Sequence, residues 1–202
     1  MRPIGLAIPM HANAGPRQAR TRRGFTLIEL VIVMIMIGTM TAMVLPKLRI
    51  SPETEVQLAG MQLAQDIDLA RTRALSTRGS VRVTFVEDSR TYTGFLDTDA
   101  DGLFGETIAE RDALRGFATR TLPTRVNFGR GSVSAIAGDA SSSAITFASA
   151  KINIDSRGLP APMGTSGVVY IRHATSASAV AAVAVSPAGS VRLWTWHNGA
   201  WQ

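Results

Sequence analysis

Three aspartates alternate with small residues in the run DTDADG at positions 97–102, which is the opening pattern of a calcium-binding loop. They are Asp97, Asp99 and Asp101. Such a loop needs a glutamate at its twelfth position, where this chain has Ile108, with Glu106 and Glu110 two residues to either side. The mismatch favours an acidic turn in which the final glycine, Gly102, has a left-handed backbone conformation. We therefore expect no cofactor, and a bound calcium ion is the alternative.

A basic residue and two tryptophans recur at every second position near the C-terminus, as Arg192, Trp194 and Trp196. In a strand, side chains at this spacing point to one face of the sheet. Arginine neutralises phosphates and tryptophan stacks on bases, so this face is a candidate DNA-binding surface. An edge strand with one packed face gives the same alternation. We therefore expect no nucleic-acid partner, with DNA binding as the alternative.

The residues that enzymes commonly use for catalysis are not grouped in this sequence. There is no cysteine, which excludes disulfides, thiol nucleophiles and thiolate metal sites. His11, His173 and His197 lack the HxxH or HExxH spacing of zinc sites. No phosphate-binding loop or dinucleotide fingerprint occurs. We predict that the chain is not an enzyme and has no small-molecule substrate.

Basic residues are concentrated at the N-terminus. The formal net charge is +6, from 21 lysines and arginines against 15 acidic residues. Residues 1–24 hold five of these arginines and no acid, which leaves 16 basic against 15 acidic residues from position 25 onward. The positive charge thus belongs to the N-terminal segment and does not indicate a nucleic-acid-binding domain.

The segment from Phe25 to Leu45 has 21 residues and a single charge, Glu29. As a helix it spans roughly the ~30 Å hydrocarbon core of a membrane. The arginines precede it, so residues 1–24 are expected in the cytoplasm and the rest of the chain outside. The alternatives are a secretory signal peptide, whose apolar region is shorter, and a twin-arginine signal, which TRRGFTL partly matches. Glu29 counts against the twin-arginine signal.

A carboxylate within an apolar membrane segment needs an explanation. On the insertion scale it costs about 2.5–3.5 kcal/mol at mid-bilayer and less near an interface. Either Glu29 lies close enough to the headgroups to stay hydrated, or it meets a positive charge from a neighbouring subunit. The rarity of such residues favours the second interpretation.

Beyond the membrane segment, Pro46 removes a helical hydrogen bond and is expected to bend the helix. Helical spacing returns from Glu53 to Thr77, with Ser51 as its cap and Pro52 in its first turn. One face is apolar and is predicted to pack on a sheet: Val56, Leu63, Ile67, Ala70 and Ala74. The polar residues predicted to lie largely elsewhere are Glu55, Gln62, Asp66 and Arg73.

From Gly79 onward the pattern changes to short alternating or β-branched runs separated by turn residues. The predicted strands are Val81–Val86, Thr91–Leu96, Arg125–Phe128, Ala144–Phe147, Lys151–Ile154, Gly167–His173, Val180–Ser186 and Val191–Trp196. Residues 130–143 are small and polar and predict a mobile loop. We therefore predict an α+β protein in which a long N-terminal helix packs on an antiparallel β-sheet or two small sheets.

The run RRGFTLIEL at positions 22–30 resembles the processing site of type IV pilins and type II secretion pseudopilins. It has a basic leader, a glycine, a phenylalanine and a glutamate at the fifth position after the cut. Gly38 and Pro46 lie at the fourteenth and twenty-second positions, where many members have glycine and proline. The pattern of the later segments, VRVTFVEDSRTYTGFLDTDADG among them, resembles the GspH/FimT type of minor pseudopilin or minor pilin.

The resemblance implies that a prepilin peptidase cuts between Gly24 and Phe25 and methylates the new Phe25 amine. Glu29 would pair with that amine in an adjacent subunit. The domains expected are a leader at 1–24, a transmembrane or filament-core helix at 25–45, a periplasmic continuation of the helix at 46–78 and a β-rich domain at 79–202. A 24-residue leader is long for this family, which makes Met10 an alternative start.

The function implied is that of a minor pseudopilin near the tip of the periplasmic pseudopilus of a type II secretion system. Its implied partners are the prepilin peptidase, other major and minor pseudopilins and the inner-membrane assembly platform. Before assembly it would be a single-pass protein of the bacterial inner membrane, with its C-terminal domain in the periplasm. A minor pilin of a type IV pilus, with a possible DNA-uptake role, is the alternative.

Overall fold

The computed structural model describes residues 24–44, 50–105, 107–113 and 119–202, with only the backbone described at 111–113. Several predictions fall outside the described residues: the leader up to position 23, the start at Met10, the bend at Pro46, and Glu106. The chain divides into two compact units, Met1–Arg49 and Ile50–Gln202.

The first unit contains helix α1 (Leu27–Val44), which confirms the predicted apolar helix. Its 18 residues extend about 27 Å at 1.5 Å per residue. The Thr39 and Thr41 hydroxyls donate hydrogen bonds to the carbonyls of Met36 and Ile37, at 2.9 and 2.7 Å. These side chains therefore need no water to satisfy their donors. By length and composition α1 suits a single membrane crossing.

Helix α2 (Pro52–Thr77) begins the regular structure of the second unit. The Thr54 N–H donates to the Ser51 hydroxyl at 3.2 Å, and Pro52 occupies the first turn, where its missing N–H costs no helical bond. The predicted apolar residues Val56, Leu63, Ile67, Ala70 and Ala74 are all buried. The predicted helix and its packed face are thus confirmed.

Asp66 is the exception on α2, because it was predicted to lie away from the packed face and is only 3% exposed. Its carboxylate accepts a hydrogen bond from the Tyr92 hydroxyl at 2.7 Å. The Arg120 guanidinium lies 3.5 Å from the same oxygen. A carboxylate is tolerated among apolar side chains when such partners surround it.

Two five-stranded antiparallel sheets follow α2. The first contains β1 (Val81–Val86), β2 (Thr91–Leu96), β3 (Arg120–Thr121), β5 (Lys151–Ile154) and β6 (Pro160–Ala161), in the order β3-β2-β1-β5-β6. The second contains β4 (Val126–Phe128), β7 (Gly167–His173), β8 (Val180–Val185), β9 (Val191–His197) and β10 (Ala200–Trp201), in the order β10-β9-β8-β7-β4. The predicted α+β class with two small sheets is confirmed.

One core joins α2 to both sheets. Alternate residues of β1 and β2 are buried, as expected for strands with one packed face. Helix α2 lies close to the second sheet at Gly60. A Cβ added there would lie 2.6 Å from Leu193 Cδ1 and 3.4 Å from Ala181 Cβ, so the glycine allows the helix to lie against β8 and β9.

The predicted strand Ala144–Phe147 is wrong, because only Ile145 forms a bridge there, to Val169. The reason is that two segments share one edge of β7. Strand β4 pairs with residues 171–173 of β7, while the Thr146 N–H donates to the Val168 carbonyl further along the same edge. The chain then turns at Ala148–Ala150, where Ser149 has a φ of 53°, so no longer ladder forms.

The sequence did not predict four short elements. These are the strands β3, β6 and β10, each of two residues, and helix α3 (Ile108–Ala113). Elements this short carry too little periodicity to be recognised. Residues 130–143 contain no helix or strand, in agreement with the predicted loop.

Candidate functional site

The N-terminal site consists of Gly24, Phe25 and Glu29 at the start of α1. Thr26 caps this helix, since its hydroxyl accepts a hydrogen bond from the Glu29 N–H at 3.3 Å and its carbonyl accepts one from the Leu30 N–H at 3.2 Å. Glu29 therefore lies in the first turn, where the helix dipole favours a carboxylate. Gly24 and Phe25 precede the helix. The peptide bond between them is thus not held in helical structure.

Apolar side chains surround α1, and none of its residues is buried within the chain. Phe25, just before the helix, is 81% exposed. An apolar surface of this extent is not stable in water and must be covered by lipid or by other polypeptide chains. Glu29 lies on this surface, so whatever covers α1 also determines the surroundings of its carboxylate.

The acidic loop follows β2 and leads into α3. The structure brings together the three predicted aspartates, Asp97, Asp99 and Asp101, and adds Glu110 from α3, with one carboxylate oxygen of each within 4.8 Å of those of the others. Desolvation and the neighbouring charges of Asp101 and Glu110 raise the pKa of Asp99. Gly102 has a φ of 81°, as the predicted turn requires.

Arg192, Trp194 and Trp196 lie on β9, as predicted, but the tryptophan rings pack against the protein. Trp196 meets Trp201 edge to face at 5.3 Å, and Trp201 lies 5.9 Å from the Tyr170 ring. Trp194 packs on the small apolar cluster around Tyr170. Arg192 is exposed beside an open groove of about 630 Å³ that Trp194 also lines. The rings thus have a packing role that accounts for the alternation.

Two polar contacts between α2 and the sheets were not predicted from the sequence. The first is the Asp66–Tyr92 hydrogen bond described above. The second joins His173 Nε2 of β7 to Glu55 Oε2 of α2 at 3.3 Å. Their partners are far apart in the chain, and the sequence carries no local signal for such pairs. Both contacts hold α2 on the sheets.

Comparisons with known proteins agree with the N-terminal features. Residues 19–45 match the family described as "Prokaryotic N-terminal methylation motif". The chain is 29% identical over 175 residues to "Pilin-like protein PilA1" of Thermus thermophilus, which covers 86% of this chain and 99% of that protein.

Two solved structures are also similar to this chain. The minor pilin FimU of Pseudomonas aeruginosa has a TM-score of 0.47 at 14% identity, covering 69% of this chain and 87% of that one. The minor pseudopilin EpsH of Vibrio cholerae has a TM-score of 0.49 at 15% identity, covering 73% of this chain and 100% of that one.

The motif match covers the helix start that Thr26 caps, and it includes Gly24, Phe25 and Glu29. The similarity to a pilin-like protein extends over most of the chain. The chain thus combines an apolar N-terminal helix that carries the N-terminal methylation motif with antiparallel sheets, and over most of its length it is similar to a pilin-like protein.

Proposed function

We propose that this chain is a minor pseudopilin of a type II secretion system. It is made as a prepilin, anchored by α1 in the inner membrane with its C-terminal unit in the periplasm. The prepilin peptidase cuts it between Gly24 and Phe25 and methylates the Phe25 amine. The mature chain then enters a short periplasmic filament, near its tip, as a structural subunit that assists the export of folded proteins.

One observation carries this proposal: Glu29 is a carboxylate in the first turn of an otherwise uncharged helix with no buried residue. Anchoring in a membrane does not require a charge at this position, and a charge inside the bilayer costs free energy. A filament gives the charge a use, because packed helices cover the apolar surface of α1 and supply a cation to Glu29. Cleavage before Phe25 creates that cation, the new terminal amine.

The pairing is proposed between subunits. In a low-dielectric environment, a carboxylate with a cationic partner is far better tolerated than one without. Glu29 therefore favours the assembled state over the separate membrane-bound subunit. The other proposed partners are the major and minor pseudopilins beside it and the inner-membrane platform that assembles them.

The assembly step is tested with Glu29→Ala and Glu29→Gln in the native host. Both variants are expected to be cleaved normally, because the bond at Gly24–Phe25 is intact, and to be lost from isolated filaments. A matched control, Glu53→Gln, removes an exposed acid from the first turn of α2 and should leave incorporation unchanged. Wild-type incorporation of both Glu29 variants would contradict the proposed role.

The filament system is tested by deleting the gene and measuring two outputs. A type II secretion role predicts that exported enzymes accumulate in the periplasm while surface pili and motility remain normal. Lost pili with normal secretion would overturn that assignment in favour of a minor pilin of a type IV pilus.

DNA uptake is the further alternative, and exposed Arg192 beside the groove is the observation that favours testing it. Salt-dependent binding of double-stranded DNA by the full chain, weakened by Arg192→Ala, would support it. Because Trp196 already packs on Trp201, and Trp194 on the cluster around Tyr170, we expect no binding at low salt.

A further inference from the structure

We propose that Asp97, Asp99, Asp101 and Glu110 form a binding site for a divalent cation, and that the cation is calcium. The four residues come from the loop after β2 and from α3. One carboxylate oxygen of each lies within 4.8 Å of the corresponding oxygens of the other three. This site lies in the second unit and is independent of the proposed role of α1 in filament assembly.

Hydrogen bonds within the loop turn its carboxylates toward one another. The Gly102 N–H donates to Asp97 Oδ2 at 3.1 Å, and the Leu103 N–H donates to Asp101 Oδ1 at 2.8 Å. The Ala100 and Gly102 backbones have φ values of 62° and 81°, which reverse the chain within a few residues. The alternating aspartates consequently face a common point.

Glu110 completes the cluster from helix α3. It is fully buried, although it comes from a six-residue helix. The Thr107 hydroxyl accepts a hydrogen bond from the Glu110 N–H at 3.2 Å, and the Gly105 N–H donates to Glu110 Oε2 at 2.8 Å. Ile108, at the twelfth position of the loop, is 76% exposed. The expected glutamate is therefore replaced by one two positions later.

The observation that points to a bound ion is the state of Asp97. Asp97 is only 7% exposed, and among the described residues its Oδ1 has no hydrogen-bond partner. A buried carboxylate oxygen without a donor costs free energy, and in native proteins such atoms normally have a partner. Asp97 also contributes to a group of four carboxylates, which repel one another when ionised. A divalent cation removes both penalties.

The donor set selects the type of metal. All four ligands are carboxylate oxygens, which suit hard cations, whereas zinc sites draw on histidine and cysteine. Calcium binds oxygen at about 2.3–2.6 Å, so ligands on opposite sides of the ion lie about 5 Å apart, which accommodates the observed spacing. Magnesium usually keeps several waters and uses one or two carboxylates. A site of four carboxylates therefore favours calcium.

The proposal is tested by titrating calcium chloride into the full-length chain, purified in detergent and stripped with a chelator. Isothermal titration calorimetry measures the affinity, and tryptophan fluorescence measures the thermal unfolding midpoint. We expect saturable binding with a Kd at or below about 10⁻³ M, the weak end for extracellular calcium modules. We also expect a calcium-dependent rise in the midpoint, and a weaker response to magnesium.

The matched variants are Asp99→Asn and Asp101→Asn, which change exposed ligands and should leave the fold intact. Asp88→Asn, an exposed acid in the β1–β2 turn, makes the same charge change outside the cluster. We expect calcium affinity to fall about tenfold or more in both cluster variants and to stay unchanged in the control, because ligand charge sets affinity. No calcium response in the wild type, or equal responses in all variants, would overturn the proposal.

Discussion

The Tyr92 hydroxyl of β2 donates a 2.7 Å hydrogen bond to Asp66 of α2, deep in the core of the second unit. Arg120 of β3 approaches the same carboxylate at 3.5 Å, and Gln62 donates to its other oxygen at 3.1 Å. This network joins α2 to the first sheet. Without these three partners, the buried carboxylate of Asp66 would be surrounded by apolar side chains alone. The residue pattern of α2 gives no indication of it.

Tyr92→Phe is expected to lower the free energy of unfolding by about 1.5–3 kcal/mol, because it removes a hydrogen bond to a buried charged group. Denaturant unfolding of the full chain in detergent measures this. The three tryptophans all lie in the second unit, so their fluorescence reports that unit alone. Tyr170→Phe is the matched control and should cost less, because its partner Asp139 is partly exposed. Equal losses of unfolding free energy in Tyr92→Phe and Tyr170→Phe would contradict the special role of Asp66.

Both tyrosines of the chain are expected to resist ionisation in the folded state. Burial and the hydrogen bond to Asp139 raise the pKa of Tyr170 to about 12, and burial with Asp66 raises the pKa of Tyr92 further. A raised pKa means that stability is complete below the ordinary value of 10.0 and falls as pH rises above it, because the unfolded chain releases its protons first.

Tyrosinate absorbance measured against pH checks this directly. We expect little tyrosinate absorbance near pH 10. At higher pH we expect the absorbance to rise steeply, together with unfolding. Two tyrosines titrating independently near their ordinary value would show that neither is held as described.

Asp155 is expected to contribute to stability at neutral pH and to lose that contribution in acid. Burial alone would raise its pKa, but hydrogen bonds from the Leu159 N–H at 2.9 Å and from Arg157 outweigh burial and lower it. Stability is therefore present above the ordinary value of 3.8 and declines as pH falls below it. Asp155→Asn should cost about 1 kcal/mol at pH 7.

The check is the difference in unfolding free energy between wild type and Asp155→Asn across the acid range. We expect the difference to shrink steadily as pH falls below about 4. Exposed Asp88→Asn is the control and should show no such trend. A difference independent of pH would contradict the assignment.

Gly60→Leu is expected to destabilise the second unit by about 1–3 kcal/mol, because the added side chain meets Leu193 where helix and sheet are in contact. Gly38→Leu places the same change in α1, where nothing lies within 4 Å, and should leave the tryptophan-monitored unfolding unchanged. If Gly60→Leu unfolds like the wild type, α2 does not lie as close to β8 and β9 as described.

Local patterns predicted most of the secondary structure. The buried stripe of α2 and the bounds of β1, β2, β5 and β7 follow from periodicity and from turn residues, which act over a few positions. Features that depend on contacts between distant segments were either not predicted or predicted wrongly. Residues 144–147 look like a strand, but the edge of β7 is shared with β4, so no full ladder forms.

The candidate sites show the same contrast between residues that are close in sequence, which are predictable, and residues that meet only in the fold, which are not. Gly24, Phe25 and Glu29 form a contiguous motif and are predictable from the sequence alone. The aspartates of the acidic loop lie at alternate positions of one short run, so they too are predictable from the sequence. Glu110 lies two positions beyond the place that the loop pattern requires, and it joins the aspartates only because α3 turns it inward. Asp66 and Tyr92 are 26 residues apart and meet only in the folded core.

The N-terminus of the mature protein tests the central claim most directly. Mass spectrometry of the protein from cells with and without the prepilin peptidase measures both cleavage and methylation. We predict a chain that begins at methylated Phe25 when the peptidase is present, and an uncleaved chain when it is absent. A terminus near Met43, or the same terminus in both strains, would show that the chain is an ordinary exported protein and would contradict its processing as a prepilin.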